Sequence, residues 1–319
     1  MKLKEIYELA VEKGIREDQR SKKQIQAKFK DAKDRYKKAT GHDKKVFDKD
    51  AFFNPYYDSR ILNGTGDEDI ETVMVGIDME VPELLLADRL RQNGRKIDLV
   101  ISHHPEGRAL AQLDKVMDIQ PDLWKQYGLS DKVADGLMEE RIAQVSRGVS
   151  PANHNRAVDA ARLLGIPFMC THTVADNCVA RFLQKLFDDK KPKKVKTVVN
   201  MLKRLPEFKR SLEVDAGPYI LIGEENDDAG KIFVDMTGGT SGPERMFGRL
   251  NQAGVGTIVG MHCKESGYKT AKSEFMNYII AGHIASDNLG MNLLYDHIEK
   301  KAGKLEFIEC SGFKRHRRI

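Results

Sequence analysis

From residue 71 onward the chain alternates short apolar runs with amphipathic stretches, and this alternation constrains the fold more than any other feature. Residues 72–77 read as a strand, 82–92 as a helix opened by Pro82 and closed by Asn93-Gly94, and 99–101 as the next strand. A strand–helix–strand order joins parallel strands by right-handed crossovers, so it predicts an α/β fold. Residues 106–150 read as mostly helical and hold the single tryptophan, Trp124. A helix over 152–164 and a strand over 166–171 follow. The next helix buries Val179, Phe182, Leu183, Leu186 and Phe187. After a lysine-rich linker at 190–196 the alternation resumes, with strands at 219–222, 231–236 and 256–260 and a helix at 243–253. Residues 273–278 fit either element. A last helix turns Leu289, Leu293, Leu294 and Ile298 inward.

Ahead of this region lies a basic segment. Residues 1–50 carry 16 lysines and arginines against 10 acids, more than the whole net charge of +5. Residues 1–40 read as helix with Leu3, Ile6, Tyr7, Leu9, Ala10 and Val11 on one stripe, closed by Gly41; 47–63 read as an irregular connector. The expected division is a helical extension over 1–57 and an α/β domain over 58–319, with lobes at 58–190 and 215–319. The extension, together with the terminal Lys314-Arg315-His316-Arg317-Arg318, has the charge to meet nucleic-acid phosphates. It lacks interleaved aromatics, so a solvated arm is favoured over nucleic-acid binding. Cys170, Cys178, Cys263 and Cys310 form no C-x-x-C pair, and the N-terminus has the pattern of neither a signal nor a transit peptide. No apolar run spans a bilayer, so a cytoplasmic protein without a membrane partner is expected.

Three strand ends carry histidine. The first run stops at His103-His104-Pro105; the others lead into His172-Thr-Val-Ala-Asp176-Asn177 and His283-Ile-Ala-Ser-Asp287-Asn288. Histidine and aspartate four apart face one point within a helical turn. Open α/β sheets form their sites beyond the carboxyl ends of the strands. Imidazole with carboxylate suits zinc, iron, manganese or nickel, and the groups suffice for two such ions. Read singly, each aspartate is also a fair helix cap and each histidine a fair loop residue.

The order VISHHP, HTVAD and AGHIASDN resembles the NGG-interacting-factor-three-like (Nif-three-like) family, whose members are often labelled GTP cyclohydrolase I type 2. The similarity covers about 60–310. It implies a two-lobed α/β fold with mixed or parallel sheets, a dinuclear metal site between the lobes, and a toroidal homohexamer. Carried onto this chain, the metal ligands are His103, His104, Asp176, His283 and Asp287, with His172 lining the site. The family usually has glutamate where Asp287 stands, and a shorter carboxylate ligates only if its backbone sits closer. Val259-Gly260-Met261-His262 also departs from the family's Thr-Gly-Glu, which adds His262 as a candidate group.

Gly238, Gly239, Thr240, Ser241 and Gly242 lie between a strand and the helix expected at 243. They form a candidate anion site, or simply a tight turn; no P-loop lysine accompanies them. The expected function is a metal-dependent hydrolase acting on a nucleotide or a related phosphorylated or cyclic compound, with His172 or His262 carrying protons. A non-catalytic metal-binding or assembly protein is the alternative.

Overall fold

The computed structural model describes residues 1–318, so Ile319, the last residue of the expected domain, lies outside the described residues. Helices α1 (Leu3–Glu17), α2 (Lys22–Lys38) and α3 (Gly41–Lys45) precede β1 (Ser59–Asn63) and β2 (Thr72–Gly76). Next come α4 (Val81–Gln92), β3 (Leu99–Ser102), α5 (Gly107–Ala111), α6 (Ile119–Gln126), α7 (Asp131–Val149), α8 (Asn155–Leu163), β4 (Phe168–Thr171) and α9 (Thr173–Lys190). The chain continues through α10 (Val195–Leu202), α11 (Pro206–Leu212), β5 (Tyr219–Ile222), β6 (Lys231–Asp235), α12 (Met246–Gln252), β7 (Val255–Gly260), α13 (Glu265–Ser273), β8 (Asn277–Ile280), α14 (His283–Ala302) and β9 (Glu306–Glu309).

The strands form two mixed sheets. One has the order β1-β4-β3-β2-β9, the other β5-β8-β7-β6. The first has four parallel strands and the second three, each set flanked by an antiparallel edge strand that comes first in the chain. The two similar His-x-x-x-Asp-Asn segments thus sit at matching places in two sheets of one topology. Strand β9 pairs with β2, so the C-terminal end of the expected second lobe returns to the first sheet.

The N-terminal segment is not a single helix, nor does it stand apart. Ser21 and Gln24 form a capping box that starts α2 afresh, and Arg20 folds onto Asp18 at 2.8 Å just before it. Gly41, at φ +54°, begins α3 instead of ending α2. The stripe read on α1 is real, but it is core: Leu3, Ile6, Tyr7, Ala10 and Val11 pack with Val73, Leu99 and Val174. The C-terminal cations are engaged inside the molecule as well. Arg315 meets Asp296 at 2.6 Å and Glu299 at 2.7 Å, Arg317 meets Glu299, and Arg318 meets Glu207. Burial alone would raise the Glu299 carboxyl, but Arg317 and Arg315 outweigh it and hold it below its ordinary value. These cations answer buried acids on α11 and α14. Among the described residues no helix is long and apolar enough to cross a membrane.

Helices α9 and α14 bear the two aspartates and pack on each other. Their buried faces divide between two cores: Val174, Ala175, Met291 and Leu294 belong to the core shared with α1, while Val179, Leu183, Ala285 and Leu289 pack with α10 and the second sheet. Gly290 makes the close crossing possible, because a Cβ there would stand 2.5 Å from the Ala175 carbonyl oxygen. Gly290→Ala must therefore push the helices apart, and we expect a loss of about 1–3 kcal/mol in chemical denaturation. Parent-like stability would show that the crossing relaxes freely.

Candidate metal centre

The three histidine-bearing strand ends converge. His103 follows β3 and is buried; its Nδ1 lies 3.2 Å from the Thr171 carbonyl oxygen. A carbonyl can only accept, so Nδ1 carries the proton and Nε2 faces inward. That Nε2 stands 3.3 Å from Asp176 and 3.5 Å from Asp287. His104 donates from Nδ1 to Asp78 at 2.6 Å, leaving its Nε2 3.7 Å from Asp287. His172 donates from Nδ1 to Asp58 at 2.8 Å, and its Nε2 lies 3.7 Å from Asp176. His283 Nε2 stands 3.6 Å from Asp287. Four imidazoles thus direct Nε2 toward two carboxylates. Three of them are held from behind by an acceptor, the arrangement that orients metal-binding histidines.

The structure gathers all five expected ligands. His103, His104 and His172 form one group whose ligand atoms lie within 4.8 Å of one another; His104, His283 and Asp287 form a second; His103, Asp176 and Asp287 form a third. His172, expected to line the site as a proton carrier, stands among the ligating groups. His262 belongs to none of them, although its ring centroid lies 5.0 Å from that of His283. Asp287, one methylene shorter than glutamate, still lies within 3.7 Å of three histidines.

These residues fit divalent metal. His103 Nε2, Asp176 Oδ1 and both Asp287 oxygens are buried without a hydrogen-bond partner. Buried charge left so is costly unless a cation answers it. Without one, protons take that place. Burial alone would depress His103, yet Asp287 and Asp176 hold its pKa well above the ordinary histidine value. Burial likewise works to raise Asp287, but the charge of His103 outweighs it and holds the carboxyl below its usual range.

Sequence reading missed Asp58 and Asp78. Asp58 is fully buried, accepts from His172 and from Thr173 Oγ1 at 2.6 Å, and is held below its ordinary pKa by them against the effect of burial. Asp58→Ala frees the His172 ring, and we expect metal affinity to fall about 10–100-fold in a chelator competition. Unchanged affinity would remove His172 from the ligand set.

A cavity of about 390 Å³ opens beside the cluster. Gly239, Thr240, Ser241 and Gly242 line it, while Gly238 packs against Gln120. The helix expected from Pro243 begins only at Met246 and has 7 residues, so no helix terminus aims at this loop. Its shape is held by side chains: Gln120 donates to the Gly238 and Thr240 carbonyls at 2.9 and 2.5 Å, and Arg141 to that of Ser241 at 2.9 Å. The positive φ of Gly238 and Gly239, +89° and +84°, is the reason for the glycine pair.

No family model matches the chain, and no curated protein matches it. Among solved structures, a NIF3 superfamily protein from Sphaerobacter thermophilus is similar at TM-score 0.67 and 28% identity, over 81% of this chain and 92% of that one. Reduced HcgD from Methanocaldococcus jannaschii is similar at TM-score 0.46 and 14% identity, over 79% of this chain and 87% of that one. TTHA1606 from Thermus thermophilus is similar at TM-score 0.45 and 14% identity, over 82% of this chain and 89% of that one. With its two matching sheets, its converging strand-end histidines and its likeness to the Sphaerobacter protein over most of both chains, the protein has a NIF3-like fold.

Proposed function

We propose that the protein is a dinuclear metal-dependent hydrolase of a small nucleotide-like or cyclic compound. The observation that carries this reading is the set of unpartnered buried atoms: Asp176 Oδ1 and the Asp287 carboxylate, on residues lining an open cavity, and His103 Nε2 3.3 Å from Asp176. His103, His172 and Asp176 would hold one ion and His104, His283 and Asp287 the other, with Asp287 also within reach of His103. Two divalent ions so held would activate water and stabilise developing oxyanion charge.

The chain's own residues supply the rest. Asp58, Asp78 and the Thr171 carbonyl keep each Nδ1 protonated and each Nε2 available. His262 is held at the cavity wall by its carbonyl, which accepts from Tyr278 Oη at 3.1 Å, and would serve as the proton carrier for a leaving group. The open cavity favours a catalyst over a closed carrier shell, since a substrate can reach the cluster. Elemental analysis of the purified protein, paired with a hydrolysis screen of nucleotides and cyclic amides under saturating zinc, manganese or iron, tests the proposal. Two ions per chain with turnover of one class is the expected result; a metal-loaded protein inert across the screen would leave only metal binding.

A further inference from the structure

The part of the cavity supplied by the second sheet has a chemistry of its own. Asp235 ends β6 and lines it, together with Tyr278 of β8 and Phe247 of α12. The Phe247 and Tyr278 rings meet edge-on at 5.9 Å. Tyr278 is fixed in turn, its hydroxyl donating to the His262 carbonyl. Asp78 has a partner in His104 and Glu244 one in Ser266 Oγ at 2.6 Å, while Asp176 and Asp287 face the histidine cluster. Asp235 has none. Among the described residues nothing donates a hydrogen bond to its carboxylate, and burial, with no opposing charge, pushes its pKa up to about 6.

Such a carboxylate is complementary to a group that donates N–H bonds and carries positive or partial positive charge. The aromatic walls add a preference for a flat group. Phosphate is poorly matched there. Among the described residues, the cavity lining holds apart from histidines a single cation, Lys264, against several acids.

We propose that the second-sheet part of the cavity recognises a flat, N–H-rich group, an amidine, a guanidine or an amino-substituted heterocycle, with Asp235 as the specificity-determining acceptor. Such a substrate, anchored at Asp235 and extending along the cavity, would present its other end to the histidine–aspartate cluster; this last step alone rests on the hydrolase reading.

Benzamidine is a direct probe, with benzoate as the same ring of opposite charge and inorganic phosphate as the rival anion. Calorimetric titration of the metal-loaded full chain is expected to show benzamidine binding, with benzoate and phosphate weaker. Asp235→Asn should weaken benzamidine by at least about tenfold, as expected for loss of a charged hydrogen bond, while metal content and melting temperature stay at parent values. Asp235→Glu, which keeps the charge, should retain part of the affinity and serves where the amide variant does not fold. Benzamidine that fails to bind, binds Asp235→Asn as tightly as the parent, or binds more weakly than benzoate or phosphate overturns the proposal. A parent that takes up no metal in elemental analysis yet still selects benzamidine through Asp235 would sink the hydrolase reading and leave the pocket standing.

Discussion

Asp287→Ala is expected to lose at least one of two metal ions and to bind the remainder at least about 100-fold more weakly, the upper end of what even outer groups contribute. Its two oxygens are the only carboxylate atoms among the described residues that reach His103, His104 and His283 together. Removing them opens both proposed positions at once. His104→Ala should behave similarly, because His104 belongs to two of the three ligand groups. Elemental analysis after dialysis against a buffered chelator reads both variants directly. Parent stoichiometry in the two of them would remove the dinuclear centre. In the parent, affinity should rise with pH, since metal must displace the proton that Asp287 and Asp176 hold on His103.

Ile6→Ala is expected to destabilise the protein by about 2–5 kcal/mol, the range for emptying a packed aliphatic site. Ile6 is fully buried on α1, between Leu3 and Ala10 and against the core of the first sheet. Gly14, a further turn along, lies so close to α9 that a Cβ would stand 2.8–2.9 Å from Val174. Deleting residues 1–20 should therefore leave an aggregating chain, as opposed to a domain trimmed of an arm. Urea denaturation followed by tryptophan fluorescence checks the point variant, because Trp124 lies in the same core. A stable, metal-binding product from the deletion would return α1 to the status of an appendage.

Much of the sheet was legible beforehand because buried parallel strands are continuous apolar runs. Residues 72–77, 99–101 and 256–260 read directly as β2, β3 and β7. Strands β1 and β9 escaped because they lie at the edges of the first sheet, where Ser59, Arg60, Glu306 and Glu309 interrupt the apolar pattern. Helix α13 was hidden for a related reason: its 9 residues bury only Gly267 and Ala271.

Local pattern determined the alternation of strand and helix and the placing of His103, His104, His172 and His283 at strand ends. Both depend on neighbours a few residues apart. Tertiary structure decided what those histidines rest on and what α1 is for. Asp78 meets His104 across 26 positions and Asp58 meets His172 across 114, separations at which no periodicity links the partners. A basic helix carries the same amphipathic stripe whether it lies on solvent or in a core, and only the packing against α9 and α14 distinguishes the two.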